Sequence, residues 1–285
     1  MAVQLSAVKA KVWLLHLQSS GSVVASLSLD VIREICSYIE DPLFAALYNQ
    51  TLALYDFSTH NTTQHALPID VRSGYIQVDR TTVLIVDYEV LTLDLLTLHI
   101  TPLAPLLTPR NYVGVVLVGN TVFAFGGFHG ESPLTVCEKC SVPLTHWTQL
   151  PSMHYARSDF TPCAYKALLY LVSTAAEDHR TVESFSPHNE TFTVLAVSLP
   201  EDLELGWASV AFVANGELLL LTGHRQMARW RIESEAHFRV SATSRGCFSF
   251  HSPLIVGIEV YIANTYSERL EKWSLETERF VFLNS

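Results

Sequence analysis

Two cysteines in the middle of the chain have a spacing that could support chemistry. Cys137 and Cys140 form a C-x-x-C pair, which can bind zinc or cycle between dithiol and disulfide. In a strand, residues three apart point to opposite faces, so the two thiols would not converge without a bulge. The sequence has five scattered cysteines and no second pair of this spacing. The pattern favours ordinary strand cysteines, with no metal and no cofactor.

Four arginines recur at the beginning of apolar runs. They are Arg72, Arg110, Arg157 and Arg245, and an aromatic side chain follows each within a few residues. A guanidinium group binds a carboxylate through two parallel hydrogen bonds, so a ring of arginines would attract an acidic peptide. Alternatively, each arginine pairs with a carboxylate or carbonyl group of the next repeat unit. The sequence is compatible with both interpretations.

Signatures of catalysis are missing from the sequence. No glycine-rich phosphate loop opens a helix, and no Gly-x-Ser-x-Gly elbow occurs. None of the twelve histidines falls in a spaced cluster, and His146, His154, His224 and His251 are expected in surface loops. We therefore predict a protein that is not an enzyme. Catalysis by residues distant in sequence stays an alternative.

Composition and charge exclude several classes of function. With 49% hydrophobic and 16% charged residues, the chain is typical of a well-packed globular protein. A net charge of −10 without Lys/Arg clusters argues against nucleic-acid binding. The apolar region Val83–Ile100 contains Asp87, Glu89 and Asp94, which argues against a membrane span. Because Val12–Leu17 is too short for a signal peptide, we expect a cytoplasmic protein.

A repeat organises the chain beyond Pro42. The aromatic residues that follow the arginines recur at intervals of roughly forty residues, and Trp207 marks a degenerate copy. Short β-rich runs separated by turn residues fill each interval, which is the pattern of a β-propeller with four strands per blade. The predicted units are Pro42–Val71, Arg72–Pro109, Arg110–Met153, His154–Glu204, Leu205–Ser244 and Arg245–Ser285.

The third unit carries the clearest motif. A Gly119-Asn120 turn leads into the apolar run Thr121–Phe125, which ends at the double glycine Gly126-Gly127, and Trp147 follows about twenty residues later. This unit resembles the Kelch repeat, one blade of a β-propeller. The resemblance implies an all-β propeller, and the six predicted units indicate six blades, with seven blades as the alternative. It also implies a protein-interaction scaffold, because Kelch domains are mostly protein-binding platforms.

The resemblance further implies where a partner would bind. In Kelch propellers the binding face consists of the loops between strands two and three and the segments between successive blades. The residues of this sequence expected to contact a protein or peptide partner are Arg72, Arg110, Arg157, Arg245, Phe128, His129, His224 and Tyr266. Because four of them are arginines, an acidic partner is expected.

The N-terminal region, residues 1–41, is predicted to be distinct from the propeller at residues 42–285. Ser28 can cap a helix over Leu29–Ile39, whose apolar residues share one stripe. This helix is similar to the first helix of an F-box, which docks ubiquitin-ligase subunits, so a substrate-recognition adaptor is an alternative function. The helix could instead pack on the propeller as a lid, and a strand at Val12–Leu17 could close the ring.

Overall fold

The computed structural model describes residues 43–283 with gaps at 57–58, 60, 72–73, 80, 173–179, 205–209, 223, 225, 235–236, 243–253, 257–258, 265–268 and 278–279. The predicted helix Leu29–Ile39 and the predicted strand Val12–Leu17 lie outside the described residues. The predicted boundary between residues 1–41 and 42–285 lies outside them as well.

The first sheet has two strands, and five further sheets of the described residues have four antiparallel strands each, which follow one another along the chain. The two-stranded sheet contains β1 (Leu43–Asp56) and β2 (Asn61–Val71). Blade 1 contains β3 (Tyr75–Gln77), β4 (Thr82–Val86), β5 (Val90–Asp94) and β6 (Ile100–Pro102).

Within the described ranges, no helix has the length and apolar character that a membrane span requires.

Blade 2 contains a short hairpin between its second and third strands. Its strands are β7 (Gly114–Val118), β8 (Thr121–Phe125), β11 (Cys137–Ser141) and β12 (Trp147–Gln149), and the hairpin is β9 (Phe128–His129) with β10 (Ser132–Pro133). Blade 3 contains β13 (Cys163–Tyr165), β14 (Leu168–Leu171), β15 (Thr181–Ser186) and β16 (Thr191–Ser198).

The last two blades have the same order of strands. Blade 4 contains β17 (Val210–Ala214), β18 (Glu217–Leu221), β19 (Gln226–Arg231) and β20 (Arg239–Ala242). Blade 5 contains β21 (Leu254–Val256), β22 (Glu259–Asn264), β23 (Arg269–Ser274) and β24 (Phe280–Phe282).

Apolar clusters join each sheet to the next and close the ring. Five clusters link the β1–β2 sheet to blade 1 and then blades 1 to 5 in succession. A sixth joins the ends, because Phe44 and Tyr55 of β1 contact Tyr261 of β22 with ring centroids 6.4 and 5.7 Å apart. The architecture is an all-β propeller, as the repeat predicted.

The predicted number of blades is wrong. The structure has five four-stranded blades in its described part, neither six nor seven, and the β1–β2 sheet stands in the remaining position of the ring. The reason is that residues 43–71 supply fewer residues than the roughly forty that a four-stranded unit uses. The predicted strand Leu43–Tyr48 falls within β1, and so does the predicted strand Thr51–Phe57 as far as Asp56, where β1 ends. The pairing of β1 with β2 is irregular between Asn49 and Thr51.

Burial on both faces explains why the inner strands are continuously apolar. On β8, Val122 and Ala124 pack toward blade 1, whereas Phe123 and Phe125 pack toward blade 3. A strand sandwiched between two blades needs apolar side chains at every position, because neither face meets water. The blades therefore form a rigid support for the loops at their ends.

The antiparallel order gives the ring two different ends. Because successive strands reverse direction, the connections between strands two and three lie at the same end as the segments between blades. We call this end the loop face, and its described segments are 74, 87–89, 103–113, 126–136, 150–162, 172, 180, 199–204, 222 and 224. The opposite end, which carries the other two turns of each blade, is called the turn face.

Candidate functional site

Arg110 lies on the segment that joins blade 1 to blade 2, and its side chain is fully buried. Its Nε donates to the carbonyl oxygen of Gly126 at 2.6 Å, and its Nη1 donates to that of Thr108 at 2.8 Å. Nη1 also donates to the carboxylate of Glu138 on β11. These partners replace water around a buried charge. Arg110 therefore fixes the joining segment to its own blade.

Glu138 completes this arrangement from the third strand of blade 2. Its carboxylate is fully buried and accepts a hydrogen bond from the backbone N–H of Leu107 at 2.7 Å. It accepts a second from the backbone N–H of Thr108 at 3.1 Å. A buried strand glutamate thus holds the segment of the loop face that carries Leu107.

The same arrangement recurs in blade 3. Arg157 is fully buried, and its Nη2 donates to Thr181 Oγ1 at 2.9 Å and to Glu183 Oε1 at 3.4 Å. Glu183 accepts from the backbone N–H groups of His154 at 2.9 Å and Tyr155 at 3.1 Å. The imidazole Nδ1 of His154 lies 2.9 Å from the same carboxylate. One carboxylate again fixes the blade-joining segment.

The sequence carried a signal for these glutamates that the arginine pattern alone did not reveal. Glu138 follows Arg110 by 28 residues, and Glu183 follows Arg157 by 26. Each lies in the third strand of its blade, so the similar spacing between arginine and glutamate is the signal. Blade 4, whose joining segment has no such arginine, has Ala228 at the equivalent place, facing blade 3. Glu271 is the corresponding buried residue of blade 5.

The double glycine lets the loop of blade 2 approach both joining segments. A Cβ atom on Gly126 would lie 2.2 Å from the carbonyl oxygen of Arg157, and one on Gly127 would lie 2.7 Å from that of Asn111. Both residues also have positive φ angles, 56° and 107°. The backbone N–H of Gly127 donates to the Arg157 carbonyl at 2.8 Å. Glycine is required here by close backbone contact.

The other expected contact residues occupy different environments. Phe128 is half-buried and pairs with Asn111 through two backbone hydrogen bonds. His129 is exposed, and its Nδ1 donates to the carbonyl oxygen of Pro109 at 2.8 Å. His224 is exposed on blade 4, with Nδ1 3.1 Å from Oε2 of Glu204.

The structure brings only part of the expected site together. Arg110, Phe128 and His129 lie around one joining segment, whereas His224 lies two blades away. Because Arg110 and Arg157 are buried in ion pairs, their guanidinium groups belong to the scaffold of the loop face. The remaining expected contact residues, Arg72, Arg245 and Tyr266, lie outside the described residues.

The exposed surface of the loop face carries apolar and acidic side chains, which the arginine pattern did not predict. Tyr88 is 45% exposed and Leu107 is 55% exposed. The exposed charges of its described segments are acidic: Glu89, Glu131, Glu201, Asp202 and Glu204. Tyr88 and Leu107 were missed because neither belongs to the arginine-aromatic repeat.

The C-x-x-C cysteines do not converge. The Cys137 side chain packs between blades 2 and 3, whereas that of Cys140 packs between blades 1 and 2. Burial raises the pKa of the Cys137 thiol to about 12, and burial also raises the pKa of Cys140 and Cys163. In the part of the chain that the structure describes, no three His, Cys, Asp or Glu side chains form a group that could hold a metal ion.

Comparisons with known proteins agree with this architecture. Residues 109–154, which contain the double glycine and both Arg110 and Glu138, match the family model of the Kelch motif. The solved structure of YjhT superimposes with a TM-score of 0.55 at 12% sequence identity, covering 72% of this chain and 80% of that chain. No curated protein sequence matches. At this identity the likeness to YjhT shows the fold alone.

Proposed function

Because this chain is a Kelch-repeat β-propeller, we propose that it is a non-catalytic protein-interaction module. A partner protein or peptide binds to the loop face, and the rest of the ring serves as a scaffold. The observation that carries this proposal is the repeated Arg–Glu pair, which fixes two blade-joining segments of that face.

Pre-ordered segments favour binding. Association costs free energy whenever flexible loops must be ordered at the interface. Here buried carboxylates already hold the backbone around Leu107 and around His154, and Gly126-Gly127 attaches the intervening loop to both segments. The loop face therefore offers a preformed surface.

The roles of the expected contact residues differ under this proposal. Arg110 and Arg157 are positioning residues, since their side chains are buried. Phe128, His129 and His224 stand at or near the surface and are the contact residues of the described part. Arg72, Arg245 and Tyr266 stay predictions, as does the adaptor role of the helix Leu29–Ile39.

Affinity purification of the tagged full chain after cross-linking in its native cell, read by mass spectrometry, tests the proposal. The test variant combines Tyr88→Ala with His129→Ala on the loop face. A matched control combines Leu96→Ala with His146→Ala, both exposed on the turn face. We expect a partner that the test variant loses and the control retains.

Two outcomes would count against the proposed function. If the control loses the partner and the test variant retains it, binding occurs at the turn face. If no partner is cross-linked to the wild-type chain, an interaction module is the wrong description, and an enzyme becomes the leading alternative. Far-UV circular dichroism of both variants establishes that the ring is still folded.

A further inference from the structure

The junction of blades 1 and 2 carries an exposed aromatic and aliphatic patch on the loop face. The rings of Tyr88 and His129 lie 6.3 Å apart between centroids, one from each blade. The His129 imidazole is held by the Pro109 carbonyl, two residues beyond the exposed Leu107. We call Tyr88, Leu107 and His129, with their neighbours Glu89 and Glu131, the junction patch.

This patch differs from the other exposed apolar side chains of the described residues. Leu96 and Val142 lie in turns of the turn face, in blades 1 and 2, and Val194 lies on the outer strand β16. Tyr88 and Leu107 instead belong to segments 87–89 and 103–113 of the loop face, and the second segment starts beside the first because the N–H of Leu103 donates to the carbonyl oxygen of Val90 at 2.8 Å. Neighbouring exposed apolar side chains rimmed by polar residues are typical of an interaction site.

The patch is also preformed. The backbone N–H of Tyr88 donates to Asp87 Oδ1 at 2.7 Å, and the N–H of Asp87 donates to the Glu89 carbonyl at 3.0 Å, which fixes the turn. Leu107 is fixed through its backbone N–H by Glu138. Both apolar side chains are therefore presented by ordered backbone.

The charges around the junction patch indicate which kind of partner would fit. Glu89 and Glu131 are exposed, and segments 87–89, 103–113 and 126–136 contain one cationic residue, Arg110. Its charge is buried and neutralised by Glu138. The patch therefore presents carboxylates beside an aromatic ring, with no exposed cation in these segments. The whole chain carries a formal charge of −10, which adds to the attraction of cations.

From this arrangement we infer that the junction patch binds a basic segment of the partner protein. An arginine or lysine side chain lies over the ring of Tyr88 in a cation–π contact and pairs with Glu89 or Glu131. An apolar side chain of the same segment packs against Leu107. The inference rests on the proposed function and replaces the acidic partner expected from the arginines, because Arg110 and Arg157 are buried.

Fluorescence anisotropy with synthetic peptides tests this inference. The probe is a short labelled peptide that combines arginine and leucine. One comparison peptide has glutamate in place of arginine, and another has serine in place of leucine. The protein variants are Glu89→Lys with Glu131→Lys, and Tyr88→Ala. The matched control is Glu276→Lys, an exposed acidic residue in a turn of blade 5 on the turn face.

We expect the arginine–leucine peptide to bind and the glutamate peptide not to bind. The double charge reversal should weaken binding by about tenfold or more, with a smaller loss for Tyr88→Ala and none for Glu276→Lys. Equal loss in the Glu276→Lys control would show non-specific attraction and overturn the inference. So would failure of the wild-type chain to bind the arginine–leucine peptide.

The two proposals can fail separately. Tighter binding of the glutamate peptide would overturn the basic partner and leave an interaction module intact. The Tyr88→Ala, His129→Ala variant could also lose a partner that the charge-reversal variant retains. That result would likewise overturn the basic partner and leave an interaction module intact. If no partner is cross-linked at all, the proposed function fails as well.

Discussion

Arg110 and Arg157 contribute to the loop face through the backbone they hold. Arg110 contacts Glu138 and three backbone carbonyl groups, so its removal leaves a buried carboxylate without its cation. Breaking a buried ion pair in this way usually destabilises a protein strongly, because the remaining charge has lost its compensation.

Substitution Arg110→Met should therefore lower the free energy of unfolding by about 3 to 5 kcal/mol. Urea or thermal denaturation measures the change. The matched control is Glu131→Gln, an exposed residue of the same blade, for which we expect a change within about 0.5 kcal/mol. Unchanged stability in Arg110→Met together with lost partner binding would mean that the guanidinium contacts the partner directly.

At the residue scale, the sequence predicted that the arginines recur but not where their side chains point. A repeated arginine gives the same sequence pattern whether its side chain faces a ligand or a buried carboxylate. Glu138 and Glu183 are the carboxylates that distinguish the two interpretations, and they lie 28 and 26 residues beyond their arginines. Pairing with a carboxylate was one of the two interpretations, although the structure places the carboxylate in the same blade.

At the scale of elements, the inner strands pack so closely that side-chain size decides stability. A Cβ atom on Gly74 would lie 2.2 Å from the backbone carbonyl oxygen of Val113, the last residue before the first strand of blade 2. At the equivalent place one blade later, a Cβ atom on Gly114 would lie 2.8 Å from the ring of Phe160. The first neighbour is backbone and cannot move aside, whereas a side chain can adjust.

We expect Gly74→Ala to lower the free energy of unfolding by on the order of 3 kcal/mol, as overpacking does in tightly packed cores. Gly114→Ala should lower it less. Gly130→Ala is the control, because this hairpin glycine has open space and costs about 1 kcal/mol through its positive φ alone. Denaturation midpoints of the three variants measure the order. Equal effects at Gly74 and Gly130 would contradict close packing of the inner strands.

Local signals predicted the elements of blade 2 well. The Gly119-Asn120 turn joins β7 to β8, and the predicted run Thr121–Phe125 is β8 itself. Trp147 is buried and donates to the Ala104 carbonyl at 3.0 Å, which ties the outer strand to the joining segment. The short strands β9 and β10 were not predicted, because a loop of this length shows no alternation.

At the scale of the whole molecule, the repeat predicted a ring but miscounted its blades. A period reports that units recur and does not report how many strands each unit contains. The contact that closes the ring joins Phe44 and Tyr55 to Tyr261, at opposite ends of the described chain. No local pattern encodes such a contact, so its position could be found only from the structure.

Hydrogen–deuterium exchange of the full chain, alone and with the cross-linked partner supplied as purified protein, tests most directly whether the loop face is the binding surface. We predict protection of segments 87–89, 103–113 and 126–136, with unchanged exchange in turns 95–99 and 142–146 of the turn face. Protection confined to the turn face or to the outer strands would contradict the account.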